Sequence, residues 1–139
     1  MTSMELENKV IEGFRLSPQQ KRLWMLQQDN PVYYVQAAIL VEGNLKSEIL
    51  QAALQQVINR HEILRTAFVR PQGIATPIQV IKETSTLVCQ EIDLSGQETQ
   101  QQLSQIDFIL QQEKFQPFDL EKGVNLRCLR LKLSAQKYI

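Results

Sequence analysis

The sequence is short of nearly everything that polar catalysis within one chain draws on. It has a single histidine, His61, so neither a histidine pair nor a multi-histidine metal centre can be built from one copy. Its two cysteines, Cys89 and Cys128, lack metal-ligand spacing and sit in apolar, strand-like stretches. They read as reduced packing residues rather than as a thiolate partner for His61. Gly43, Gly73, Gly96 and Gly123 stand apart as turn residues, so no glycine-rich loop is available to cradle phosphate. Neither sign of charge is in excess, with 15 Lys plus Arg against 15 Asp plus Glu, which argues against nucleic acid as a partner. Long apolar runs are missing too. The longest, Ala37 to Val41, falls far below the ~20 residues of a membrane-spanning helix. The acidic start from Met1 to Glu7 is unlike a secretory signal, so a cytoplasmic protein without a membrane partner is expected.

What is there is patterned. The 139 residues allow one compact domain or part of one, and strands alternate with helices in the α/β manner. After a polar lead over 1–13, Ser17-Pro18-Gln19-Gln20 combines an N-cap serine, proline at the first helical position and glutamine at the third. A helix is expected from Pro18, turning Leu23, Trp24 and Leu26 inward and stopping before Asp29-Asn30-Pro31. Tyr33 to Glu42 alternates like a strand, with Val35, Ala37, Ile39 and Val41 on one face. Ile49, Leu50, Ala53, Leu54, Val57 and Ile58 form the apolar stripe of a helix from about Ser47 to His61. Strands are expected over Ile63–Val69, Thr76–Ile81, Leu87–Ile92 and Arg127–Leu133. A helix over Glu98–Lys114 should bury Leu103, Ile106 and Leu110 and turn a glutamine-rich face to solvent. Tyr138-Ile139 looks like the opening of another strand, which reads as a truncated domain.

The chemistry-bearing stretch is Arg60-His61-Glu62-Ile63-Leu64-Arg65-Thr66, followed closely by Phe68, at an expected helix-to-strand turn. A basic residue ending a helix is favoured by the macrodipole by about 0.3–1 kcal/mol, which accounts for Arg60 or His61 but not for Arg65. On the residues alone, structural ion pairing is favoured over catalysis. Gln20, Arg22 and Trp24 on the first helix are individually ordinary, Trp24 reading as core and Arg22 as solvated.

Taken together, these strings resemble the condensation domains of non-ribosomal peptide synthetases. Ser17-Pro18-Gln19-Gln20-Lys21-Arg22-Leu23-Trp24-Met25-Leu26 is similar to that family's first core motif, Ser-x-Ala-Gln-x-Arg-Leu-Trp-x-Leu, departing at Gln19. Arg60 to Phe68 resembles the second, Arg-His-Glu-x-Leu-Arg-Thr-x-Phe, at every specified position. Phe118-Asp119-Leu120, Gly123 and Leu126-Arg127 are similar to a third stretch, in which Val124 and Asn125 replace the usual Pro and Leu.

The resemblance implies a chloramphenicol-acetyltransferase-like lobe, a mixed sheet flanked by helices, with residues 14–139 as a partial condensation domain. It implies carrier proteins with phosphopantetheine arms, an adenylation domain and the remainder of the domain as partners, and no cofactor held directly. The resemblance implies that the complete domain makes the amide bond between carrier-bound thioesters, the alternatives being a non-catalytic carrier-protein docking module or an ester-forming or acyl-CoA-type acyltransferase of the same fold. The family's catalytic His-His-x-x-x-Asp-Gly motif is not in this sequence, so no catalytic residue is assigned and the chain alone is expected to be inactive. Arg60, Arg65, His61, Gln20, Arg22 and Trp24 are the implied structural support of the active site. Arg60 is expected to pair with the motif's aspartate, and Arg65 to line the same region.

Overall fold

The computed structural model describes residues 13–27 and 34–139. Most of the polar lead, the Asp29-Asn30-Pro31 stop signal and Tyr33 lie outside them.

Two sheets organise the chain. Strands β1 (Phe14–Arg15), β3 (Thr66–Val69) and β4 (Ile78–Ile81) form an antiparallel sheet of order β1-β4-β3. Strands β2 (Val41–Glu42), β5 (Cys89–Asp93), β6 (Cys128–Ser134) and β7 (Lys137–Tyr138) form a second sheet of order β2-β7-β6-β5. In it β5 and β6 run parallel while β7 is antiparallel to both β6 and β2. Parallel neighbours require a long crossover, and α3 (Thr99–Phe115) supplies it. The mixed sheet with flanking helices is the expected architecture.

The helices start and stop near the expected places, but they bury narrower faces. Helix α1 (Pro18–Gln27) opens on reciprocal capping bonds: the Gln20 amide donates to Ser17 Oγ (3.2 Å) and the Ser17 amide to Gln20 Oε1 (2.8 Å). Of its expected inward residues only Trp24 is half-buried, while Leu23 and Leu26 are exposed. Helix α2 (Ser47–Arg60) buries Ile58 fully and Leu50 and Leu54 in part; Ile49, Ala53 and Val57 face out. On α3 the buried stripe is rotated from the expected one. Ile106 joins Leu94 and Leu131 in the core, Ile109 and Leu110 pack against them, and Leu103 is exposed. The reason is polar. Gln102, from the face expected to be solvated, turns in and donates from Nε2 to the carbonyls of Leu94 and Leu133, both at 2.9 Å. Satisfying buried carbonyls outweighs exposing one leucine.

The expected strands are shortened, except that over Arg127–Leu133, which is observed at its expected length as β6. Glu62–Arg65 is a 3₁₀ turn rather than the start of a strand. Over residues 34–40 the chain forms no ladder, so the strand expected from Tyr33 is reduced to β2, and Val35 and Ile39 are exposed. Strand β6 is covered on two faces: Leu129, Leu131 and Leu133 pack toward α3, yet Arg130 on the opposite face is also buried.

Candidate functional site

The site is built where α2 hands over to the first sheet. The His61 amide donates to the Val57 carbonyl (3.0 Å), ending the helix. The chain then tightens: the Leu64 amide reaches the His61 carbonyl (3.0 Å), and Thr66 Oγ1 donates to the Glu62 carbonyl (2.8 Å). This extra turn separates the two arginines. Arg60 and His61 are exposed at the helix end. Arg65 is turned inward, its side chain only 15% exposed. One of its terminal nitrogens donates to the Lys82 carbonyl, and the other lies 3.6 Å from the carboxylate of Glu62, which is itself largely exposed. Its Nε–H is buried without a partner among the described residues. A half-buried guanidinium with its Nε–H unused and only an exposed carboxylate nearby is under-neutralised.

The stretch around Phe118 to Asn125 closes over this turn. The Phe68 amide donates to the Leu120 carbonyl (2.9 Å), and Asn125 Nδ2 donates to the carbonyls of Ile63 (2.9 Å) and Thr66 (2.7 Å). Asn125, where the family pattern has leucine, therefore clamps both ends of the 3₁₀ turn. Gly123 has φ +71° and lies against Ala67, where a Cβ would meet the Ala67 Cβ and amide nitrogen at 3.3 Å. Both the conformation and the space call for glycine. Lys122 bonds to Asp119, holding that carboxyl below its usual range, and Lys82 Nζ donates to the Lys122 carbonyl. Lys82 thereby links the strand segment that receives Arg65 to the loop that covers it.

Helix α1 leans on the same sheet. The Trp24 and Phe68 rings lie 6.0 Å apart, tilted by 32°. Gln20 and Gln79 exchange side-chain amide bonds at 2.9 and 3.0 Å, and Gln79 also donates to the Arg15 carbonyl (3.1 Å). So Gln20, Trp24 and Arg65 are brought to one sheet, whereas Arg22, Arg60 and His61 are exposed.

Sequence reasoning missed two arginines. Arg127 pairs with Glu113 (3.2 Å), donates to the carbonyls of Glu113, Gln116 and Pro117 at 3.1 Å, and lies 4.1 Å from the centroid of the Phe118 ring. It fixes the end of α3 to the start of β6. Arg130 is buried, pairs with Glu91 on the neighbouring strand, donates to the Leu45 carbonyl (2.9 Å) and lies over Tyr138. Its alternation with leucines signals only a position on the other face. Cys89 and Cys128 sit opposite each other across β5 and β6, with Sγ atoms 2.8 Å apart, both as free thiols. Burial, followed by the contact with Cys89, pushes the Cys128 thiol up to about 12. That suppresses the thiolate and suits a packing role.

Three separated strings thus converge on one three-stranded sheet around an inward arginine. Residues 11–139 match the family model described as Condensation domain, and the chain belongs to that family. It is 32% identical over 129 residues to tyrocidine synthase 3 of Brevibacillus parabrevis, covering 91% of this chain and 2% of that protein. It is 36% identical over 121 residues to phosphinothricin tripeptide synthetase PhsC of Streptomyces viridochromogenes, covering 85% of this chain and 11% of that one. Among solved structures, the starter condensation domain of rhizomide synthetase RzmA superposes with a TM-score of 0.79 at 25% identity, covering 91% of this chain and 32% of that chain. This chain is therefore a piece of a condensation domain of non-ribosomal peptide synthetase type, spanning about a third of that solved chain. No helix among the described residues is long and apolar enough to cross a membrane.

Proposed function

We propose that these residues are the amino-terminal part of a cytoplasmic condensation domain that, when complete, makes an amide bond between substrates carried as thioesters on phosphopantetheine arms. In that reaction the amine of the acceptor attacks the thioester carbonyl of the donor. A C–N bond forms, the C–S bond breaks, and the carrier thiol leaves with the proton the amine gives up. The acid–base group for this step comes from outside these residues, since their one histidine, His61, is exposed at a helix end. This chain's contribution is positional. Arg65 holds the carboxylate of the catalytic motif, and Gln20, Trp24, Phe68, Gly123 and Asn125 hold the turn that carries Arg65. The observation that carries this reading is the under-neutralised, inward guanidinium of Arg65 at the meeting point of all three motif strings. This reading gives the ion-pairing role to Arg65 instead of Arg60, which is exposed. Carrier and adenylation domains are the partners this reading requires.

The test is to join the chain to the remainder of its domain and assay amide formation between loaded carrier proteins by mass spectrometry. Amide is expected from the joined protein and none from residues 1–139 alone. No amide from the joined protein contradicts the proposal. A second reading, an acyl donor delivered as a coenzyme A thioester, is favoured by one observation. A mutant RzmA starter domain in complex with C8-CoA superposes on this chain with a TM-score of 0.77 at 25% identity. Supplying donor in either form to the same protein separates the two.

A further inference from the structure

One face of the second sheet carries three facing pairs. Strands β5 and β6 run parallel in direct register, with Cys89 opposite Cys128, Glu91 opposite Arg130 and Asp93 opposite Lys132. Side chains alternate along a strand, so all three pairs stand on the face away from Leu129, Leu131 and Leu133. Each pair is in contact. Glu91 with Arg130 and Asp93 with Lys132 (3.2 Å) are ion pairs, and the Sγ atoms of Cys89 and Cys128 lie 2.8 Å apart as free thiols. The thiols fill their place as packing residues do, yet packing alone does not call for cysteine on both strands. Neighbouring strands lie about 4.8 Å apart, inside the ~4.4–6.8 Å between Cα atoms that a disulfide spans, so this pair can be oxidised without moving the backbone.

We infer that Cys89 and Cys128 form a reversible redox site, which a small-molecule disulfide such as oxidised glutathione converts into an intrachain disulfide bond. Among the described residues β5 is the edge strand of its sheet and β6 is interior, so Cys89 meets the reagent first. Its sulfur, as thiolate, attacks one sulfur of the small disulfide; that S–S bond breaks, and one small thiol leaves with the proton Cys89 gave up. Cys128 then loses its proton and attacks Cys89 Sγ. A new S–S bond forms, and the second small thiol leaves with that proton. Two protein thiols are oxidised and one small disulfide is reduced, and excess small thiol runs both steps backward. Burial holds Cys128 as a thiol and slows it toward reagents in solution, but its partner sulfur is already in contact, at an effective concentration no dissolved thiol reaches. The bond closes the crossover into a ring. Cys89 to Cys128 encloses α3 with the core residues Leu94 and Ile106, and Arg127, next to Cys128, already fixes the end of α3 through Glu113. Closing so long a segment restricts the unfolded chain, so the oxidised form is the more stable one. The pairing holds whether or not Arg65 has the proposed catalytic role.

The test equilibrates the 139-residue chain with reduced and oxidised glutathione in graded ratios, in buffer and in urea, quenches with acid, and reads the state of each sulfur by mass spectrometry. The intrachain disulfide, lighter than the dithiol by two hydrogens, should form in buffer with an effective concentration at least about tenfold above that in urea, because the native register brings the sulfurs together. By linkage, the oxidised chain should then unfold at a higher urea concentration than the reduced one. Cys128→Ser should accumulate glutathione on Cys89, and Cys89→Ser should accumulate it on Cys128 at least about tenfold more slowly. An effective concentration no higher in buffer than in urea overturns the proposal, as does a product of the parent chain that is mainly interchain disulfide or mixed disulfide. An oxidised chain no more resistant to urea than the reduced one overturns it as well. Faster modification of Cys128 than of Cys89 in the two variants overturns the order of attack.

Discussion

Arg60 and Arg65 carry the same side chain five positions apart, and only the backbone between them decides which one turns inward. Charge and spacing mark both as wanting a partner, and the family resemblance points first to Arg60. The 3₁₀ turn over Glu62–Arg65 leaves Arg60 at the solvent end of α2 and swings Arg65 under the Lys82 carbonyl, and on that placement rests the proposal that Arg65 is the pairing residue. Nothing in a hydropathy pattern distinguishes a 3₁₀ turn from the first residues of a strand, since the deciding bonds come from Thr66 Oγ1 and the distant Asn125. The cysteines were legible by contrast, as apolar residues on two strands, though not their juxtaposition across a parallel ladder. Cys128, raised from 9.0 to about 12, remains a thiol in the folded chain at pH values where the unfolded chain ionises. The folded state then holds a proton that the unfolded state releases, so this site's stabilisation is intact below pH 9.0 and is lost as pH rises toward about 12. At pH 8, Cys128 should react with iodoacetamide at least about tenfold more slowly in the native chain than in urea, as read by mass spectrometry. Equal rates would show that the thiol is not held in its neutral form.

Elements with strong helical periodicity could be read from the sequence to within a residue or two: α1 from its capping box, α2 from its stripe, α3 from its leucines and isoleucines. What a helix buries was less legible. Gln102 rotates α3 because two buried carbonyls need donors, and α2 exposes half its stripe. Strands fared worse where pairing, not pattern, decides. Residues 34–40 alternate well yet form no ladder, because no neighbouring strand of the described residues pairs with them. The loop from Phe118 to Asn125 was visible as irregular, but not its contact with Ala67. Gly123→Ala should therefore destabilise the chain by about 1–3 kcal/mol, through a left-handed φ and the 3.3 Å approach to Ala67. The control Gly96→Ala, where φ is not positive and nothing lies within 4 Å of a Cβ, should change it by less than about 0.5 kcal/mol. Urea unfolding measures both, and equal effects would contradict the clamp.

Across the chain as a whole, apolar surface and core are out of proportion. Among the described residues seven hydrophobic side chains are buried, while seventeen large ones, including Phe14, Phe108 and Phe115, are exposed. Single exposed leucines are ordinary, but this many on a small protein predict weak cooperativity or association. Residues 1–139 alone should unfold with less than about 5 kcal/mol and bind a hydrophobic dye such as anilinonaphthalene sulfonate. A sharp, high-temperature transition of a dilute, dye-free monomer would contradict this. The family could be read from three short strings. That those strings meet on one sheet was not, since their contacts run through Trp24 and Phe68, through Phe68 and Leu120, and through Asn125 and Ile63.

Under the proposed function, the convergence of the three strings presents Arg65 to the rest of the domain. Amide formation by the chain joined to the remainder of its domain, with Arg65→Ala set beside Arg60→Ala, tests that role. Loss of one member of a buried ion pair costs about 3–5 kcal/mol, and displacement of the motif it holds costs roughly a hundredfold in rate. Arg65→Ala should therefore lower both the unfolding midpoint and the rate, the rate by roughly 100-fold, while Arg60→Ala should stay within about threefold of the parent. The opposite order, with Arg60→Ala crippling and Arg65→Ala mild, would return the ion-pairing role to Arg60 and contradict the assignment made for Arg65.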